Sequence, residues 1–382
     1  MARARQRWLP ALFIPLALAI AVLFGSVQAG ASVSLPPKSA EEILAMIART
    51  EVRALSGTVE QTAGLGLPEV PASGPGIVPG AASAFEFLTG SHTARVYMDG
   101  PFKARVQILD QMAERDVVIN GGDAWFYNSK DNSATHLTVP VPPTDVPTPG
   151  IPTPAIPTPA IPTPAIPTPA IPTPEAMASR FLAAIDASTE VSVSEASSVA
   201  GRSAYSLLLN PRSTETLVDS VTIDVDSETG LPLGVEVRAI GQAEPAYSLA
   251  YTQVDLSRPD AALFDFAPPP GATVTEKVLP VRPVPSMALP SEPVPDSMAL
   301  APDAPRHGAS VTGTDWDSVI ALPAGSAPAE LVSDSQLSQV LQRVEGGRAL
   351  TTSLLSVLVL DDGRVYAGMV PLDRLQSAAA AQ

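Results

Sequence analysis

Apolar and polar residues alternate through residues 221–237, V-T-I-D-V-D-S-E-T-G-L-P-L-G-V-E-V. A period of two sets Val221, Ile223 and Val225 on one face and Thr222, Asp224 and Asp226 on the other. Between the runs, Asp226-Ser-Glu-Thr-Gly230 offers a turn in which Gly230 can take positive φ. The segment therefore predicts a hairpin with one apolar side. The same alternation predicts strands at 55–62, 85–89, 93–99, 102–109, 115–120 and 123–128, and again at 190–198, 203–209, 219–226, 232–239 and 246–255. Ala94, Val96 and Met98 share one face against Arg95, Tyr97 and Asp99, while Phe102, Ala104, Val106 and Ile108 oppose Lys103, Arg105 and Gln107. Asp99-Gly-Pro101 and Gly121-Gly122 are tight-turn signals that make the flanking strands neighbours.

Two segments switch to helical periodicity. In 39–50, Ser39 with Glu42 three residues on predicts a capping box, with Ile43, Leu44, Ile47 and Ala48 along one side. In 175–186, Met177, Phe181, Leu182 and Ile185 form one stripe.

Between the two strand sets, residues 146–175 are six copies of a five-residue unit: V-P-T-P-G, I-P-T-P-A four times, then I-P-T-P-E. Proline at two positions in five forbids helix and ladder pairing and favours extended polyproline II, reaching on the order of 90 Å at about 3.1 Å per residue. The repeat reads as a spacer or an inserted loop; a ligand for a proline-binding module or a carrier of sugars are the sharper alternatives. Each strand set alone is too one-sided to be stable, so the pattern implies one sheet interrupted by a long excursion. Residues 268–310 are Pro-rich without periodicity and read as a linker. The tail, 314–375, predicts strand (317–322), helix (334–345) and strands (348–360 and 364–371), with Asp361-Asp-Gly363 as a hairpin turn. A unit of that size is marginal alone and is expected to dock.

Composition narrows the class. The N-terminus carries Arg3, Arg5 and Arg7, then an apolar run over 9–24 and small residues near Ala29 and Ala31, the plan of a secretory signal over 1–31; an uncleaved anchor is the alternative. Placement is then extracytoplasmic, secreted or envelope-associated. There is no cysteine, so stability must come from buried apolar area. A net charge of −16 with no basic cluster outside the leader excludes nucleic acid as a partner class.

Chemistry is sparse. His92, His136 and His307 lie far apart without ligand spacing or an acidic partner pattern. Gly201-Arg-Ser203-Ala lacks the closing glycine of a nucleophile elbow and reads as a turn entering a strand. Asp224-Val-Asp226 reads as a solvated sheet face rather than a cation site. No catalytic residue, metal or cofactor is expected, and the chain is read as non-enzymatic.

What remains is the apolar face. A strongly curved sheet wrapped over helices would leave a groove lined by Val96, Met98, Val106, Ile108, Leu207, Leu209, Ile223, Val235, Val237, Leu249 and Tyr251. Such a groove suits acyl chains, although alternation serves a dry core equally well.

R-A-L-S-G-T-V-E-Q-T (53–62), G-P-F-K-A-R-V-Q-I-L-D (100–110), D-A-W-F-Y-N (123–128), I-D-V-D-S-E-T-G-L-P-L and F-D-F-A-P-P-P-G-A-T-V (264–274) together resemble the LolA-like outer-membrane lipoprotein-sorting proteins of actinobacteria. The resemblance spans 35–278, with the Pro-rich insertion at 140–175 as a departure, then a 279–313 linker and the 314–375 α+β unit. It implies a mainly β fold with some α: an open, strongly curved antiparallel half-barrel covered by helices, sheltering lipid or lipoprotein acyl chains. The related RseB/MucB-like proteins imply an alternative, a sensor or regulator of an anti-sigma protein that contacts an envelope membrane protein. No functional residue of the family maps onto this chain.

Overall fold

The computed structural model describes residues 35–67, 89–109, 113–138, 173–183, 185–278, 310–313, 315–325 and 341–381. The expected leader, the expected start of the 85–89 strand, the proline repeat up to residue 172, most of the expected linker and residues 334–340 of the expected tail helix lie outside them. Among the described residues no helix is long and apolar enough to cross a membrane.

The elements follow the hydrophobic pattern closely. Helix α1 (Ala40–Ala48) is capped by Ser39, whose side chain accepts from the Glu42 N–H while Glu42 reaches back to the Ser39 N–H. Strands β1 (Ala54–Gly64), β2 (Thr89–Asp99), β3 (Lys103–Leu109), β4 (Glu114–Asn120), β5 (Asp123–Asn128) and β6 (Ser133–Thr138) form the first set. Helix α2 (Pro174–Ala183) leads into β7 (Thr189–Val193), β8 (Ser197–Val199), β9 (Arg202–Pro211), β10 (Val218–Asp226), β11 (Pro232–Ala239) and β12 (Tyr247–Asp255). The expected 190–198 strand is split into β7 and β8, which both pair with β9.

These strands and β13 (Thr273–Val278) make one sheet in the order β13-β6-β5-β4-β3-β2-β1-β12-β11-β10-β9-β7, curved and not closed into a barrel. The two strand sets join where β1 pairs antiparallel with β12, so one sheet does span the excursion. Every neighbouring pair is antiparallel except β13 with β6.

That exception corrects the reading of 268–310 as featureless. After β12 the chain crosses the outer face of β3–β6 as a strap. Arg105 donates to the Leu263 carbonyl (3.1 Å), Asn120 to Asp265 (3.3 Å), and Phe266 packs on Trp125 and Tyr127. Phe264 is buried beneath it. The strap delivers β13 to the β6 edge, where His136 lies between Glu276 (2.8 Å) and Asp123 (2.9 Å) and stacks on Trp125. The sequence offered His136 no acidic partner; β5 and β13 bring two from 13 and 140 residues away.

The tail forms a second sheet of β14 (Ser310–Thr312), β15 (Val319–Leu322), β16 (Gln342–Val344), β17 (Gly347–Thr351), β18 (Ser356–Leu360) and β19 (Val365–Gly368), in the order β14-β15-β19-β18-β17-β16. The expected 348–360 strand is two strands, and residues 342–344, read as the end of a helix, pair with β17 as β16. Helix α3 (Leu372–Ala380) covers one face through Leu372, Leu375, Ala378 and Ala379. The unit docks on the large sheet. Trp316, 4 % exposed, donates its indole N–H to Thr189 (2.8 Å) and stacks on Phe181 of α2. The Leu217 N–H and the Thr216 hydroxyl both donate to the Met369 carbonyl.

Candidate functional site

The strand registers carry the apolar positions across the sheet in rows. Leu207, Ile223, Val235 and Leu249 are successive partners on β9, β10, β11 and β12. Leu209, Val221, Val237 and Tyr247 form the next row. On the other side of β1, Tyr251 faces Val59, Val59 faces Ala94 and Ala94 faces Ile108, with Val96 opposite Val106.

All eleven sequence-predicted groove residues therefore share the inner face. Nine are buried; Met98 and Val106 are half-buried. They divide between two adjoining apolar clusters. Leu207, Leu209, Ile223, Val235 and Val237 pack with α1 and α2 through Ile43, Leu44, Ile47, Ala178, Phe181 and Leu182. Val96, Ile108, Leu249 and Tyr251, with Met98 and Val106 against them, form the other, and Met177 and Tyr247 touch both. In this conformation the helices occupy the β9–β12 part of the inner face. Two open depressions lie elsewhere: about 510 Å³ between α1 and the 228–230 turn, and about 420 Å³ on the outer face beside Arg95, Tyr97 and Asp255. None of the eleven lines either.

Two details position the helical cover. Gly230, at φ +73°, turns the β10–β11 connection directly beneath α1; a Cβ there would stand 2.7 Å from the Met46 carbonyl carbon and closer still to its oxygen. The most conspicuous turn in the sequence is thus the seat of α1. Gly57 leaves room for the Tyr251 ring, which a Cβ would meet at 2.7 Å.

The inner face holds one ionisable pair that sequence reasoning missed. The Tyr251 hydroxyl donates to Glu175 Oε1 (2.9 Å), and Glu175 Oε2 has no solvent contact and no hydrogen-bond partner. Burial pushes the Glu175 carboxyl above its usual range, against smaller downward pulls from Thr173, its own backbone and Tyr251. Burial likewise drives the Tyr251 phenol upward and pushes Tyr247 up to about 12. Glu175 looks like an ordinary first-turn acid in the sequence. Nothing local marks it as a partner for a tyrosine 76 residues away.

The Asp224-Val-Asp226 reading needs correction at one end. Asp224 accepts hydroxyl bonds from Ser197 and Ser206, but Asp226 is 1 % exposed rather than solvated. Arg202 pairs with it and Thr229 donates to it twice. Asp226 keeps its register with β9, opposite Ala204, and is buried because Arg202 and the 227–229 turn close over it. Gly201 does form the turn entering β9. Among the described residues no group of three or more His, Asp or Glu side chains is arranged to hold a metal.

No protein-family model matches the chain, and no curated protein matches it either. Among solved structures it is similar to the Pseudomonas aeruginosa MucA/MucB complex, at 15 % identity over 89 % of this chain and 96 % of that one, with a TM-score of 0.42. MucB in complex with MucA(peri) gives 15 %, 89 % and 97 %, and 0.41. A LolA superfamily protein from Nitrosomonas europaea gives 12 %, 60 % and 99 %, and 0.22. LolA superfamily and MucB proteins, the kinds the sequence resembles, are therefore among the similar solved structures, none of these three named as actinobacterial, and the description of the fold rests on the strand order above.

Proposed function

We propose that this chain is an extracytoplasmic, non-enzymatic binding protein that shelters the acyl chains of lipids or lipoproteins on the inner face of its open sheet. The observation that supports this reading is the cover. The apolar face runs across β2–β3 and β9–β12, and over β9–β12 it is covered by two helices of 9 and 10 residues rather than by a second sheet. Helices that short are marginal in isolation and owe their order to packing, so an apolar ligand can replace them by exchange. An acyl chain repeats their chemistry: each sheltered CH₂ contributes about 0.8 kcal/mol, and a chain of about fourteen to sixteen carbons holds more than about 10 kcal/mol before ordering costs.

Native mass spectrometry of the full chain, purified without detergent and then incubated with acylated lipid, tests this. The expected result is a retained acyl mass, lost in Val106→Asp, which places a charge at a half-buried position of the face. Circular dichroism checks that the variant is folded. Failure of the wild type to retain any acyl chain would remove the carrier reading.

A second reading, a regulator of an envelope signalling protein, is favoured by the docked tail, whose sheet presents Val311 and Ile320 as exposed register partners. A stoichiometric membrane protein co-purifying from envelope extracts, in place of lipid, would select it.

A further inference from the structure

We propose that the groove is built for an amphiphile with an amine head, received by the Glu175 carboxyl at the start of α2 while the tail lies along the apolar rows. This inference rests on the acyl-chain reading and names its ligand class. Glu175 reaches from the helical cover to the wall: its Oε1 is held by the Tyr251 hydroxyl at 2.9 Å, and Tyr251 is 2 % exposed among Leu249, Leu233 and Val59. Oε2 is shielded and has no hydrogen-bond partner in place, the Thr173 hydroxyl being the side chain beside it that favours the charged carboxyl. Among the described residues no Lys, Arg or His forms an ion pair with this carboxyl.

An acid left in apolar surroundings with one oxygen unmet is costly, whether charged or protonated. The buried Tyr251 hydroxyl needs an acceptor and Oε1 supplies it, but Oε2 serves no such partner, although this end of α2 meets both apolar clusters through Met177. An ammonium supplies what is missing, three N–H donors for Oε2 and a charge opposite to the carboxylate. An alcohol supplies one donor and no charge. A fatty acid would bring a second carboxyl beside the first, which both repels it and leaves donors short. The site thus ranks head groups as amine, then alcohol, then acid. That order is the reverse of what a surface built for free fatty acids would give.

Tetradecylamine, tetradecanol and myristate share a tail length and separate the head from the tail. Their binding to the full chain is measured by displacement of an environment-sensitive fluorophore. The amine is expected to bind about tenfold tighter than the alcohol, the size of one charge-assisted hydrogen bond, and myristate weakest. Glu175→Gln, nearly the same shape, should bring amine and alcohol within about twofold of each other. Because the chain carries 39 acidic residues, the loss of one charge leaves bulk attraction for amines almost intact, and the drop reports the site. Tyr251→Phe frees Oε1 and should keep the amine preference. Equal binding of the three probes, tightest binding of myristate, a preference that survives Glu175→Gln, or one that vanishes in Tyr251→Phe would each overturn the assignment with the carrier reading intact. No binding of any probe would overturn both.

Discussion

Replacing Gly230 with alanine tests whether the β10–β11 turn seats α1. The substitution has two costs that the structure separates. Gly230 sits at φ +73°, where an L residue pays about 1–2 kcal/mol. Gly201 sits at φ +75° with nothing within 4 Å of a would-be Cβ, so Gly201→Ala carries the backbone cost alone. At Gly230 the new Cβ would also stand 2.7 Å from the Met46 carbonyl carbon, inside the 3.0 Å below which real Cβ atoms are essentially never found. Helix backbone has no rotamer with which to move aside, so α1 itself must shift. The most it can lose is its anchoring, chiefly the fully buried Ile43, worth about 1.5–3 kcal/mol. Gly201→Ala should therefore destabilise by about 1–2 kcal/mol, and Gly230→Ala by about 3–4 kcal/mol, the excess coming from α1. Urea unfolding of the full chain, followed by far-ultraviolet circular dichroism, gives both values from the midpoint and slope. If α1 belongs to the exchangeable cover, Gly230→Ala should also speed exchange of a bound acyl probe, and Gly201→Ala should not. Equal destabilisation by the two substitutions would refute the seat.

Arg105→Ala strips the partner from Asp116, whose side chain is 3 % exposed and takes two bonds from that guanidinium, and it also frees the Leu263 carbonyl of the strap. A buried carboxylate left alone should cost about 3–5 kcal/mol at neutral pH. Burial already holds Asp116 above its usual range, so the loss should shrink as falling pH protonates it; a shift below about 1 kcal/mol in urea unfolding would show that the pair does not fasten the strap. The Glu175 carboxyl, raised by burial above 4.5, binds its proton more tightly in the folded chain than in the unfolded one. Its contribution is therefore complete below the unfolded value and is lost as pH rises through the folded one. Glu175→Gln lacks that loss, so its urea midpoint should gain on the wild type as pH rises above 4.5; parallel pH curves would contradict the buried placement. Asp116 and Glu236, also raised by burial, are common to both proteins and cancel.

Most strands, helices α1 and α2, and the face on which most apolar residues lie were legible in the sequence; Phe102, expected on the apolar face, is 68 % exposed. Side-chain alternation, the Ser39–Glu42 box and glycine turns are local signals, and burial followed them at Val96, Ile108, Leu207 and Ile223. Strand β6 and strand β13 were not legible. S-A-T-H-L-T alternates weakly, and T-V-T-E-K-V follows a proline run that masks it. The tail strand β16 was read as helix because a three-residue strand has too little pattern to compete with the helical residues before it.

By itself the sequence determined a mainly β chain with one apolar sheet face and two short amphipathic helices. Only the tertiary structure decided that β1 pairs with β12, that β13 joins the β6 edge in parallel, and that the strap buries Asp116 on what alternation marks as a polar face. It alone decided that the helices lie over the β9–β11 members of the predicted set and that Glu175 meets Tyr251 beside them. The physical reason is range. A side chain's face is set by the backbone of its own strand, whereas its partner is set by register and by chain returning from far along the sequence, and no local period records that.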